Sequence, residues 1–251
     1  HDSCAQLART VIGTVDVGHG SRICRTSLTR SGSFKQQTLS GFMRREVLYV
    51  LTIAVGLFVS ARYAQWPVDI WCIAVFSVIF WKTNRKERIE MIAVLAFATP
   101  MELFFSEVWL IYEYQRNFMP FFVPFGHYFL FDLGRRVAKT LTEGSAMKLI
   151  LILVPLVGYG AVVGTDTSAI ILIIFTLGFV YWGPEPRLYA SMVWLALAME
   201  LWGTYLGNWT WKNDVPWTSL TAWNPPLLVG AFYCFGDLLV NLSVAKFQGQ
   251  P

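Results

Sequence analysis

The tripeptide Met101-Glu102-Leu103 lies in a long apolar segment, 89–112, and Met199-Glu200-Leu201 lies in a second one, 188–207. Both segments fall within the roughly 17–25 residues that a membrane-spanning helix needs. Each therefore places a carboxyl group at membrane depth, where an ionisable side chain costs about 2.5–3.5 kcal/mol. Because this cost is met twice at matching positions, we expect the two glutamates to serve a function.

The whole composition is typical of a helical membrane protein. Hydrophobic residues make up 55% of the chain, charged residues 14%, and the mean hydropathy is +0.48. A water-soluble protein of this kind would expose large apolar patches. The sequence predicts an all-α, polytopic transmembrane helix bundle of about eight spans. The spans are placed at 47–64, 67–82, 89–112, 120–137, 148–164, 167–183, 188–207 and 225–244. Six or seven spans remain an alternative if 47–82 or 148–183 form re-entrant hairpins.

Basic residues fall mainly on one side of these spans. That side holds Arg44, Arg45, Lys82, Arg85, Lys86, Arg88, Arg135, Arg136, Lys139, Lys148, Arg187 and Lys246. The opposite side holds Arg62, Arg116 and Lys212. Because basic loops stay in the cytoplasm, we expect an integral membrane protein of the bacterial inner-membrane type with both termini cytoplasmic. These loops explain the net charge of +4, so the charge does not indicate a nucleic acid partner.

The first 42 residues differ from the rest. They are polar, rich in Ser, Thr, Gly and Arg, and show no helical periodicity. Met43-Arg44-Arg45 then leads directly into the first span, as a start codon would. We expect 1–42 to be a polar leader, either disordered or an artefact of an upstream extension, with a targeting segment as the alternative. The four cysteines show no spacing typical of a metal site or a disulfide framework.

The two glutamates stand in similar surroundings. The same features occur in the same order twice: an aromatic residue followed by Trp, a short loop, Met-Glu-Leu, an aromatic cluster and a proline-rich helix start. Since four spans return the chain to the same side, this order predicts two parallel four-helix repeats, 43–144 and 145–251, related by an axis along the membrane normal. The alternative is chance, because Trp and Tyr mark membrane interfaces in most membrane proteins.

Counting along the helices places three titratable side chains at comparable depth. Glu102 and Glu200 lie 14 and 13 residues beyond the last cation of the preceding loop, about 20 Å at 1.5 Å per residue. His127, seven residues after Pro120, lies about 10 Å below the opposite surface. We expect Glu102, Glu200 and His127 to form a catalytic cavity in the outer half of the membrane, where burial favours the neutral carboxyl, a ready general acid. The alternative for each is a hydrogen bond that only joins helices.

Aromatic side chains after each glutamate are the substrate-binding candidates, together with the first residue of the loop 208–224. They are Trp109, Tyr112, Tyr114, Trp209, Trp211 and Asn208. Helical spacing puts Trp109 on the face of Glu102. These aromatic residues form either an interfacial belt or the roof of a pocket.

Three further carboxylates are secondary candidates. Glu107 is five residues from Glu102 and points elsewhere. Asp132 precedes two arginines and is expected to form an intrahelical ion pair. Asp237 has no cation close by in the sequence. The chain has no nucleotide-binding or His-rich metal motif, so we expect no cofactor and no metal.

The layout resembles that of small integral-membrane carotenoid-modifying enzymes, the membrane lycopene cyclases and related carotenoid hydratases. The residues that carry this resemblance are Met101-Glu102-Leu103 with Trp109, and Met199-Glu200-Leu201 with Trp209. The adjacent-carboxylate Pro-Glu-Glu motif of the cyclases is absent. The resemblance implies an enzyme of isoprenoid chemistry and supplies no catalytic residue by position.

Three classes of function follow. In the first, an intramembrane enzyme protonates an apolar isoprenoid or lipid through Glu102 or Glu200, and aromatic faces stabilise the cation. In the second, a small transporter exchanges protons or cations at the paired carboxylates. In the third, the protein is a non-catalytic subunit or assembly factor that binds a membrane protein partner. We favour the first.

The distribution of cations predicts which loops face outward. A cysteine placed at Asp214 should react with a membrane-impermeant maleimide added to intact cells, whereas one placed at Lys86 should react only after permeabilisation. The opposite pattern would overturn both the topology and the depth argument.

Overall fold

The computed structural model describes residues 30–142 and 144–248, and the side chains of 45–142 and 144–247. The chain divides into two compact units, His1–Phe42 and Met43–Pro251. The described residues form α1 (Arg30–Arg62), α2 (Trp66–Lys82), α3 (Arg85–Leu103), α4 (Val123–Ala138), α5 (Ser145–Leu151), α6 (Val154–Val163), α7 (Ser168–Trp182), α8 (Pro186–Leu206) and α9 (Ala231–Gln248). A π-helical turn, Phe104–Val108, follows α3, and two strands are β1 (Tyr112–Tyr114) and β2 (Trp209–Trp211).

The predicted all-α class is confirmed, and each predicted span overlaps a helix. The expectation for residues 1–29 lies outside the described residues. Helix α1 begins at Arg30, within the predicted leader 1–42. The predicted helix 148–164 is two helices, because Pro155 has no N–H to bond the carbonyl of Leu151. Helices α4 and α9 begin a few residues late, since turns occupy 121–122 and 227–230.

Two helical stretches, Arg85–Val108 and Ser145–Val163, are long and apolar enough to cross a membrane. Asn84 caps the first of them, because its side chain accepts a hydrogen bond from the Glu87 N–H at 3.0 Å. This stretch contains Glu102 near its far end.

Helix α4 runs through the middle of the bundle and packs against α2, α3 and α8. Each of the other helices exposes at least one large apolar side chain, whereas α4 exposes none. Gly134 permits close contact with α8, since a Cβ there would lie 2.2 Å from the sulfur of Met192. The helix that carries His127 is therefore held on several sides.

The strands β1 and β2 form an antiparallel pair that the sequence analysis did not predict. Tyr112 lies opposite Trp211, and Tyr114 lies opposite Trp209. These four side chains are buried, while the central residues of both strands are exposed. Because side chains alternate along a strand, the four rings share one face.

Two aspartates hold the starts of the fourth and last helices in the same way. Asp69 accepts a hydrogen bond from the backbone N–H of Phe122 at 2.9 Å, two residues after Pro120. Asp166 accepts one from the N–H of Leu227 at 3.2 Å, two residues after Pro225. Asp166 also accepts bonds from the Ser168 hydroxyl and the Ala169 N–H.

Asp166→Ala should destabilise the fold, because it leaves the buried N–H groups of Ala169 and Leu227 without an acceptor. An unsatisfied buried donor costs about 1–3 kcal/mol. We expect the melting temperature in detergent to fall by several degrees. Asp214→Ala, at an exposed loop aspartate, is the control. Equal melting temperatures for the two variants would contradict this role of Asp166.

Candidate functional site

Glu102, His127 and Glu200 line one cavity of about 60 Å³. The cavity lies between α3, α4, α8, α9 and the buried face of the strand pair. It has room for water but not for a lipid. The structure thus brings together the three residues that the sequence analysis selected as catalytic.

Glu102 accepts hydrogen bonds on both carboxyl oxygens. Its Oε2 atom accepts from the hydroxyls of Tyr112 and Tyr114, the latter at 2.6 Å. Its Oε1 atom lies 3.0 Å from Nε2 of His127. Burial, and next the nearby carboxylate, raise the pKa of Tyr114 well above its ordinary value, so this hydroxyl remains a donor.

The hydrogen bonds of His127 restrict where its protons can be. The Nδ1 atom lies 3.0 Å from the backbone carbonyl of Val123. A carbonyl can only accept, so Nδ1 carries a proton. The contact between Nε2 and Glu102 then contains one shared proton, either as carboxylic acid with neutral imidazole or as carboxylate with imidazolium. The ring is fixed by Tyr233, which stacks on it with 5.4 Å between ring centroids.

Glu200 has a different environment. Its Oε2 atom accepts from the indole nitrogens of Trp209 and Trp211, at 2.6 and 2.9 Å. In the described part of the chain, no donor bonds its Oε1 atom and no cation pairs with it. Gly207, with φ at +79°, ends α8 and turns the chain into β2, which places both indoles over the glutamate.

The strand pair supplies both sets of donors. Tyr112 and Trp211 lie 4.6 Å apart between ring centroids, and Tyr114 and Trp209 lie 6.2 Å apart. The tyrosines of β1 bind one glutamate and the tryptophans of β2 bind the other. The four predicted substrate-binding aromatic residues in the strands therefore act as hydrogen-bond donors to the glutamates, and do not only form an interfacial belt.

The π-helical turn changes what α-helical spacing predicted for Trp109. This side chain does not line the cavity of Glu102; its indole donates to the Pro216 carbonyl at 2.8 Å and stacks on Trp217. The wider turn displaces every later residue from the α-helical register. Glu107 is exposed and accepts a bond from Ser106, as expected for a side chain that points elsewhere.

Three other candidates lie away from the cavity. The amide of Asn208 donates to the Leu57 carbonyl at 3.0 Å and joins β2 to α1. Asp132 accepts from Arg136, as predicted, and from Tyr49. Asp237 lies 3.3 Å from an Arg135 nitrogen, so the cation that its local sequence lacks is supplied by α4. Asp132, Asp237 and their arginine partners line a separate polar cavity.

The sequence analysis missed three aromatic side chains that line the cavity, Tyr233, Phe105 and Phe232. Spacing could have identified Tyr233, which lies seven residues after Pro226, just as His127 lies seven after Pro120. No sequence signal distinguishes a phenylalanine that lines a cavity from one that packs in the hydrophobic core.

No family model, no curated protein and no solved structure matches this chain.

Gly203→Ala should disturb the site without touching a carboxylate. A Cβ at Gly203 would lie 2.2 Å from the Trp209 ring, so the indole must move away from Glu200. We expect a loss of about 1–3 kcal/mol in unfolding free energy, typical of overpacking.

Gly158→Ala is the matched control, because nothing lies within 4 Å of the added methyl. Thermal unfolding of both variants, with the Trp209 indole N–H followed by NMR, checks this result. An unmoved Trp209 resonance in Gly203→Ala would show that the packing is looser than described.

Proposed function

We propose that the protein is an integral membrane enzyme that uses the two buried glutamates for acid–base chemistry on an apolar isoprenoid or other lipid. One observation carries this proposal: a buried and a partly buried carboxyl group face one cavity, and among the described residues only Glu102 is in contact with a histidine. Paired titratable groups with unlike surroundings are typical of acid–base sites.

The membrane placement has support beyond the two qualifying helices. Exposed apolar side chains occur on eight of the nine described helices, which is unusual for a protein surrounded by water. The ionic contacts Arg45–Glu87, Arg135–Glu90 and Arg136–Asp132 join residues predicted to lie near the cytoplasmic ends of the helices. We propose that all eight predicted segments span the membrane, with both termini in the cytoplasm.

Repeated contacts support two parallel four-helix repeats. Each half contributes a glutamate that accepts from two aromatic donors two residues apart. Each half also has an aspartate that accepts a hydrogen bond from a backbone N–H before its last helix, Asp69 in one half and Asp166 in the other. The strand pair is symmetric about the pairing of Glu113 with Thr210, where an axis along the membrane normal would pass.

In this mechanism Glu200 is the general acid. The Oε1 atom of Glu200 lies in apolar surroundings without a donor among the described residues. Protonation of this oxygen is favoured, because an unpaired buried charge costs far more free energy than a neutral hydroxyl. The two indoles fix the other oxygen and leave the proton available to a substrate in the cavity.

Glu102 is the counter-charge and base. Its carboxylate form is stabilised by two tyrosine hydroxyls and the imidazolium of His127. Such an anion lowers the energy of a carbocation beside it and can accept a proton from it. The shared proton allows the pair to switch charge state within one hydrogen bond.

The step balances without an oxidant or reductant. A proton moves from Glu200 to one carbon of a double bond, whose π electrons form the C–H bond and leave a cation on the next carbon. The faces of Tyr112 and Trp211 stabilise that cation. Ring closure or a shift of the double bond ends with loss of a proton to Glu102, and proton exchange between the acids restores the start.

Glu200→Gln and Glu102→Gln should each lower turnover by about 10²–10⁴-fold, the usual contribution of general acid–base catalysis. Glutamine keeps the shape and accepts hydrogen bonds, but cannot deliver a proton. The assay uses proteoliposomes in D₂O loaded with squalene, lycopene and a polyprenyl alcohol. Mass spectrometry then measures deuterium attached to carbon in the apolar lipids.

Glu107→Gln is the matched control, since this carboxyl lies on the adjacent turn, is exposed and does not line the cavity. Deuterium incorporation that persists in both single variants and in the double variant would rule out the acid mechanism. Proton flux across the liposome membrane with no deuterium on carbon would instead support a transporter.

A further inference from the structure

A large groove lies beside the acid cavity. Its volume is about 720 Å³, within the roughly 300–1,000 Å³ of sites that hold small ligands. The groove runs between the π-helical turn, α7, α9 and the loop that follows β2. Phe175 and Phe235 on its edge are 59% and 48% exposed, so the groove opens sideways between α7 and α9.

The groove and the acid cavity share a wall. Phe105, Trp211 and Phe232 line both spaces, and the rings of Phe105 and Phe232 lie 5.0 Å apart between centroids. Phe105 belongs to the π-helical turn, a feature that often occurs at functional sites. Rotation of these side chains would connect the large space to the two glutamates.

The shape of the groove indicates a linear ligand. Along α7 its lining extends from Ser168 through Leu172 to Phe179, which is about 16 Å at 1.5 Å per residue. Leu238 of α9 lines it as well. The lining is thus long and mainly apolar.

The groove also indicates an uncharged ligand. Lys212 is the single charged residue among the described residues that line it. Its ammonium is already paired with Glu113 at 2.7 Å. A carboxylate or phosphate head would find no free cation in this lining, whereas a hydrocarbon chain needs none.

We infer that the groove binds the uncharged, linear hydrocarbon chain of the substrate, whose reacting end passes Phe105, Trp211 and Phe232 to reach Glu102 and Glu200. This inference rests on the proposed function, and it specifies the substrate as an uncharged isoprenoid with a long linear chain that enters sideways from the membrane. The small cavity then needs to hold only the double bond that reacts.

The test measures binding separately from turnover. Full-length protein in phosphatidylcholine nanodiscs is titrated with tritiated all-trans-retinol, a neutral isoprenoid with a linear polyene chain, against protein-free nanodiscs. We expect saturable binding of one retinol per protein. Leu172→Trp and Leu238→Trp should each weaken it at least tenfold, because both side chains line the groove. Two variants guard against a folding defect in one, and thermal unfolding checks each.

Ile174→Trp is the matched control, since this residue is two positions from Leu172 on the same helix but 64% exposed outside the groove. It should bind retinol within twofold of wild type. Binding that does not saturate, or that both groove variants leave unchanged, would overturn the inference. Displacement of retinol by a phospholipid carrying a parinaroyl chain would do so too, because it would make the groove an ordinary lipid contact.

Binding and catalysis can fail independently in this design. Saturable, groove-dependent retinol binding with no deuterium incorporation in wild-type protein would support the binding site and refute the acid chemistry. Deuterium incorporation that Leu172→Trp and Leu238→Trp leave unchanged would support the acid chemistry and refute the groove as its substrate site.

Discussion

A buried carboxyl group must be satisfied by hydrogen bonds, and the architecture around the strand pair meets this requirement twice. Residues two apart on a strand point the same way, so Tyr112 with Tyr114 and Trp209 with Trp211 each present two donors to one oxygen. Antiparallel pairing then brings both sets of donors together. Without this pair, Glu102 on α3 would keep only its contact with His127. Glu200 on α8 would have no donor among the described residues, and an unsatisfied buried carboxyl costs several times an ordinary hydrogen bond.

The difference between the two glutamates follows from what surrounds the strand pair. Helix α4, central in the bundle, brings His127 to Glu102. The Nδ1–H of His127 donates to the Val123 carbonyl, which fixes the position of this proton. Helix α9 brings Tyr233, which stacks on that imidazole. One carboxyl therefore gains a proton partner, while Glu200 has none among the described residues. This single histidine contact makes the hydrogen bonding of the two carboxyl groups different.

Much of this arrangement could be predicted from sequence, and the failures have physical reasons. Hydropathy and cation counting located the helices, and helical rise predicted a common depth for Glu102, Glu200 and His127. Three-residue strands are too short for an alternating pattern, so the roles of the tyrosines and tryptophans as donors were not visible. The π-helical turn was equally hidden, and it moved Trp109 to the groove. The contact of Arg135 with Asp237 joins two helices 102 residues apart, beyond any local pattern.

The contrast in size between the two spaces limits what chemistry the protein can perform. A 60 Å³ cavity with two carboxyls excludes a whole lipid, and a 720 Å³ groove with apolar walls has no acid of its own. Each space lacks what the other has, and both are lined by the rings of Phe105, Trp211 and Phe232. In the proposed reaction, this aromatic wall keeps the rest of the chain in the groove while the reacting double bond reaches the acids. The reaction is thereby confined to the one double bond that passes Phe105, Trp211 and Phe232, and the rest of the chain does not meet a carboxyl group.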